Sequence, residues 1–122
     1  MLPNACPKPQ PRIVATIQKR RTLARLDRVE KEKVRVRDHE SCRVCGRRTR
    51  QVHERLFKSL GGAASLMNSL CACPTCHPFL QHHGIDVRGR TCNGPLTFEM
   101  GAAVARLIFN GKVTPVHVEV VG

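Results

Sequence analysis

Two Cys-x2-Cys pairs, Cys42/Cys45 and Cys73/Cys76, stand 27 residues apart in this chain. The two-residue spacing lets one turn aim two thiolates at a single ion. Two such turns complete a tetrahedral four-sulfur site, the arrangement zinc accepts with no position left open to water. A closed site of this kind holds structure together and performs no chemistry. The chain needs such a staple, because its 122 residues include four Phe, no Trp and no Tyr, diluted by eight Pro and nine Gly. A core this lean rarely stabilises a domain without a metal or a cross-link.

The remaining cysteines agree with this reading. Seven is an odd number, and four of them go to one site, leaving Cys6, Cys71 and Cys92. The N-terminus MLPNACPKPQP has no apolar run of the kind that directs secretion, and no stretch approaches the roughly 18 apolar residues of a membrane span. The expected compartment is therefore a reducing cytoplasm, where cysteines serve as metal ligands before disulfides. Cys71 is expected to pack in the core, since Cys73 has the ligand spacing.

Charge is distributed unevenly. Lys and Arg number 21 against 9 acids; residues 1–50 carry a net +10 and residues 51–122 a net +2. A field of this kind concentrates polyanions and speeds their capture. Residues 1–15 read as a basic, Pro-rich arm, and residues 16–37, free of Gly and Pro, as a basic helix with a thin apolar stripe of Leu23, Leu26 and Val34. Residues 38–50 form a turn around the first cysteine pair, and residues 51–57 a strand broken by Gly61-Gly62. A short helix is expected over 75–83, with Pro78 early and Gly84 at its end. Beyond it come a loop over 85–93, a short strand at 96–98, and a helix over 99–109 with Met100, Val104, Leu107 and Ile108 on one face. A closing edge strand, limited by Pro115, completes an α+β chain.

A second set of polar residues surrounds the cysteines. His53-Glu54 lies on the strand between the pairs, Asn68 precedes Cys73 by five residues, and His77 directly follows Cys76. If Cys45 and Cys76 share an ion, the strand and the helix start lie side by side and the two histidines approach. Two imidazoles and a carboxylate make an open site for a divalent metal. Two partly exposed histidines with no shared ligand is the competing reading. His39 and His117 have no partner by spacing.

The stretch RVRDHESCRVCG…QVHERLFKSLGG…SLMNSLCACPTCH, about residues 35–83, resembles the HNH endonuclease family in its four-cysteine, phage-type form. The resemblance implies a ββα-metal (His-Me finger) core over residues 38–84, flanked by the N-terminal helix and by a C-terminal extension over 85–122 that packs on the core. It implies His53 and His77 as ligands of one catalytic divalent ion (Mg2+, Mn2+ or Ni2+), beside a structural Zn2+. Asn68 matches the residue that braces the loop and the base. A His five residues after His77, His82, is a further candidate ligand. The family's general base is usually a second His, and here that position is Glu54. Three readings follow: Glu54 is the base, or His53 is the base and Glu54 a ligand, or the chain binds DNA without cutting. The expected partner is double-stranded DNA, its backbone met by Arg43, Arg47, Arg48 and Arg50 and its scissile phosphate by Arg55 or Lys58. The family setting is phage genome packaging in the host cytoplasm, beside terminase and portal proteins.

Overall fold

Where the first helix stops decides how everything after it is placed. In the computed structural model, which describes residues 11–57, 60–92 and 94–122, helix α1 spans Pro11–Arg37. It begins earlier than expected, so residues 11–15 belong to the helix and not to the arm. Residues 1–10, with Cys6, lie outside the described residues, as does Lys58. On α1, Leu23, Leu26 and Val29 are exposed, and Val34 is buried in the core.

The helix ends at two consecutive left-handed residues that are not glycine, His39 (φ 56°) and Glu40 (φ 51°). This strained exit is held by Asp38, which is 7 % exposed. Its carboxylate accepts from Arg37 Nε (2.7 Å) and Nη2 (3.0 Å), Arg43 Nη1 (3.0 Å) and the Cys71 backbone N–H (2.9 Å). Arg37 also donates to the carbonyls of Leu66 and Ser69, both at 2.6 Å. Burial raises the Asp38 pKa, but the hydrogen bonds and charges of Arg37, Arg43 and Cys71 N–H outweigh it, and the group stays below its ordinary value.

Strands β1 (Val52–Glu54) and β2 (Ser69–Cys71) pair antiparallel, with His53 opposite Leu70. Their connection needs Gly62: a Cβ there would sit 1.8 Å from the Leu56 carbonyl oxygen. Helix α2 (His77–Gln81) follows, shorter than expected, with Pro78 in its first turn.

The C-terminal third corrects the sequence reading. Residues 85–88, expected as loop, form β3 (Ile85–Arg88); β4 (Thr97–Gly101) takes the residues expected to open a helix, and α3 (Ala102–Phe109) starts later. The reason is period. Phe98 and Met100 alternate with Thr97 and Glu99, and this two-residue repeat buries both large side chains on one face of β4. The helical face then shifts: Ala105, Ile108 and Phe109 are buried, whereas Leu107 is exposed. Strand β5 (Val118–Val121) runs parallel to β4 and is an edge, giving the order β3-β4-β5. This segment packs into the core. Phe98, Met100 and Ile108 share one core with Val44, Leu70, Cys73, Cys76 and Leu80. Among the described residues, no helix is long and apolar enough to cross a membrane.

Phe98 is the largest fully buried side chain. Phe98→Ala should destabilise the fold by about 3–5 kcal/mol in a denaturant titration. Leu107→Ala should shift it by less than about 0.5 kcal/mol. Equal effects would reject β4 in favour of the longer helix.

Candidate metal centre

The first cysteine pair sits in a tight turn. Cys42 N–H donates to the Arg47 carbonyl (2.7 Å), Gly46 N–H donates to the Cys42 carbonyl (2.9 Å), and Gly46 takes φ +80°, where a side chain would be strained. A Ser41–Arg48 bridge closes the turn. The second pair runs from the end of β2 into α2: Cys76 N–H points at Cys73 Sγ (3.4 Å), and His77 N–H donates to the Cys73 carbonyl (2.9 Å). Arg43 N–H donates to the Cys71 carbonyl, which joins the two turns.

The four sulfurs of Cys42, Cys45, Cys73 and Cys76 all lie within 4.8 Å of one another, and Cys45 and Cys73 are 3.6 Å apart. A zinc ion with sulfur at about 2.3 Å on each bond sets tetrahedral sulfur–sulfur edges of about 3.8 Å. The donor set and spacing therefore fit zinc, and 3.6 Å is far beyond the ~2.05 Å of a disulfide. Electrostatics points the same way. A hydrogen bond from Cys76, against burial, brings Cys42 down to about 4. Burial, joined by the Cys42 charge, pushes Cys45 up to about 11. Hydrogen bonding to Cys42, then burial, holds Cys76 far above the ordinary thiol range. One negative charge is tolerated and further ones are resisted, which is the condition a divalent cation relieves. Cys71 is buried outside this group, at the seam of α1 and β2, and Cys92 is exposed.

Beside the cluster, the hairpin and α2 bring His53 and His77 together. Their ring centroids are 5.2 Å apart at 74°, and Phe57 stands edge-on to His53 at 6.2 Å. His53 is 4 % exposed, and burial, with the neighbouring His77 and Arg55, lowers its pKa to about 4. Burial lowers His77 as well. Both rings are therefore neutral near pH 7, the form that donates a nitrogen to a metal. Alternation along β1 turns Glu54 to the opposite face of the strand from His53. His82 is exposed, and among the described residues no other set of three or more His, Cys, Asp or Glu gathers its ligand atoms.

Asn68 clamps the β1–β2 connection from both amide ends. Its Oδ1 accepts from Leu56 N–H (2.8 Å), and its Nδ2 donates to the carbonyls of Leu56 and Ala63 (both 3.0 Å).

The arginines expected to meet DNA are largely committed within the chain. Arg43 pairs with Asp38, and Arg47 donates to the Ile108 carbonyl (2.6 Å). Arg50 pairs with Glu32 and Glu40. Arg55 donates to Gly89, Thr91 and Val87. Arg48 is exposed. Sequence reasoning missed three supporting residues: Arg37, Asp38 and His117. The His117 Nε2 lies 2.9 Å from the Val44 carbonyl, which requires the proton on Nε2, and its ring packs on Phe98. Nothing in local sequence marks that 73-residue span.

Metal analysis should find about one tightly held zinc per chain, and Cys76→Ser should lose both the ion and cooperative unfolding. A folded, metal-free protein would reject the centre. The His53 shift adds a pH signature. The unfolded imidazole takes a proton near 6.5, while the folded one resists until about 4. Stability should be full above pH 6.5 and fall as pH drops through that window. His53→Gln should flatten this part of the pH profile relative to wild type, the thiolates being common to both. Parallel profiles for the two proteins would count against a buried neutral His53.

No protein-family model, curated protein or solved structure matches this chain, so its function is read from these residues.

Proposed function

We propose that the chain is a metal-dependent DNA endonuclease of the HNH type, hydrolysing phosphodiester bonds in double-stranded DNA with weak sequence preference. The observation that carries the reading is the meeting of two neutral imidazoles, His53 on β1 and His77 at the start of α2, beside the four-cysteine cluster. The succession β1, β2, α2 supports a ββα-metal core stapled by a structural zinc. His53 and His77 are the residues that would hold a catalytic Mg2+, Mn2+ or Ni2+. Bound there, such an ion would neutralise the scissile phosphate and stabilise the departing 3′-oxygen. Burial removes competing protons from both nitrogens. Asn68 braces the loop after β1 through its bonds to Leu56 and Ala63. With His53 as ligand, Glu54 would take the proton of the attacking water; with His53 as base, Glu54 would be the ligand in its place. Strand alternation weighs against Glu54 sharing a site with His53. The resemblance adds a setting, phage genome packaging beside terminase and portal proteins in the host cytoplasm.

A second reading, a zinc-stapled DNA-binding or packaging-assembly protein without catalysis, is favoured by one observation. No third protein ligand joins the histidine pair among the described residues.

Supercoiled plasmid incubated with Mg2+, Mn2+ or Ni2+ separates the two. Relaxed or linear product is expected from wild type. His53→Ala and His77→Ala should each reduce the rate on the order of 100-fold or more. Wild-type protein that leaves plasmid supercoiled with every ion would sink the nuclease. Product indifferent to both substitutions would sink the site.

A further inference from the structure

Arg43, Arg47, Arg50 and Arg55 are each tied to a carboxylate or carbonyl of the chain, although Arg47, Arg50 and Arg55 keep exposed surface. We infer that the exposed stripe Arg21, Arg25 and Arg28 on α1 is the surface that tracks the DNA phosphate backbone. This deepens the DNA reading above and rests on it for the identity of the polyanion.

Spacing puts the three side chains one above another. Positions i, i+4 and i+7 share a helix face, and at 1.5 Å rise per residue they span about 10 Å along the axis. Duplex DNA carries one charge per about 1.7 Å of its own axis, so such a rod laid along a strand meets two or three phosphates. The three arginines line one crevice of about 620 Å³ with Gln18, Thr22 and Ala24, and among the described residues no acid borders it. All three are exposed. Asp27 and Glu30 lie on the opposite face of α1, and Glu32, one turn beyond Arg28 on the stripe's own face, is paired with arginines. Asp27 pairs with Lys31, Glu30 with Lys33, and Glu32 with Arg35 and Arg50. Leu23, Leu26, Asp27 and Glu30 border a separate groove against residues 62–64, and Arg28 lies at the margin of both.

The packing of α1 makes a merely solvated role a poor account of its length. Residues 15–26 are exposed, and the helix is anchored near its C-terminal end through Val34 and the Arg37–Asp38 pair. A helical rod without packing is marginal in water. Phosphates along the stripe would supply the partner that the rest of the fold does not. The guanidinium fork suits that partner, since it binds phosphate oxygens in pairs.

The test is duplex binding by the full zinc-loaded chain, without added Mg2+, Mn2+ or Ni2+, followed by fluorescence anisotropy across a salt series. The stripe variant carries Arg21→Gln, Arg25→Gln and Arg28→Gln. A control carries Arg90→Gln, Arg106→Gln and Lys112→Gln, all exposed and removing the same net charge. Circular dichroism and zinc content confirm that both are folded. The stripe variant should lose at least tenfold in affinity near physiological salt, and its log–log salt slope should fall by about 2–3. The control should keep the wild-type slope. Equal losses in both variants, or none in the stripe variant, would overturn the assignment. So would tighter stripe-dependent binding to phosphatidylserine vesicles than to DNA. Intact stripe-dependent binding with no plasmid cleavage would overturn only the nuclease. Cleavage with unchanged binding by the stripe variant would overturn only this inference.

Discussion

Four thiols held within 4.8 Å of one another cannot all ionise unless a cation lies among them. That constraint organises the molecule. Cys42 and Cys45 come from the turn after α1, Cys73 from two residues past β2, and Cys76 from the threshold of α2. The group therefore joins the three segments that build the hairpin and its helix. The core is too poor in aromatics to impose this arrangement by burial alone. With the thiolates satisfied, Leu70, Leu80, Phe98 and Ile108 pack around the sulfurs as one apolar body.

A second polar hub supports the first. Asp38 is nearly inaccessible and accepts four hydrogen bonds, two from Arg37, one from Arg43 and one from Cys71 N–H. It converts the end of a long helix into a turn aimed at the first cysteine pair. Removing a partner from a buried charge leaves it uncompensated, so such a hub tolerates little change. It also explains why positive charge close to the cysteines is not free positive charge. Side chains that a linear reading assigns to DNA are drawn into carbonyls and carboxylates of the fold, while arginines on the unsupported part of α1 are left facing solvent.

The candidate site was legible to the extent that its residues are locally spaced. The two Cys-x2-Cys pairs, the His53-Glu54 doublet and the Cys76-His77 step all lie in short windows. Asn68 was also visible, although its three hydrogen bonds to Leu56 and Ala63 depend on the folded loop. The helix over 99–109 was misread because Ala102, Ala103 and Ala105 favour helix, whereas the alternation of Phe98 and Met100 matters only once a sheet exists to bury one face. Leu107 was misassigned with it, since moving the helix start rotates the buried face.

What the sequence determined by itself is the metal-binding grammar: four thiols in two turns, two histidines beside them, and a positive field weighted to the first fifty residues. These are properties of spacing and composition and do not depend on packing. Tertiary structure alone decided that His53 and His77 meet at 5.2 Å, that His53 is buried and neutral, and that His117 reaches Val44 across 73 residues. It also decided which arginines are tied to carboxylates and carbonyls of the chain. The reason is physical. A ligand turn is closed by bonds between neighbours in sequence, whereas burial, pKa and the partner of a guanidinium are set by groups that folding brings from far along the chain.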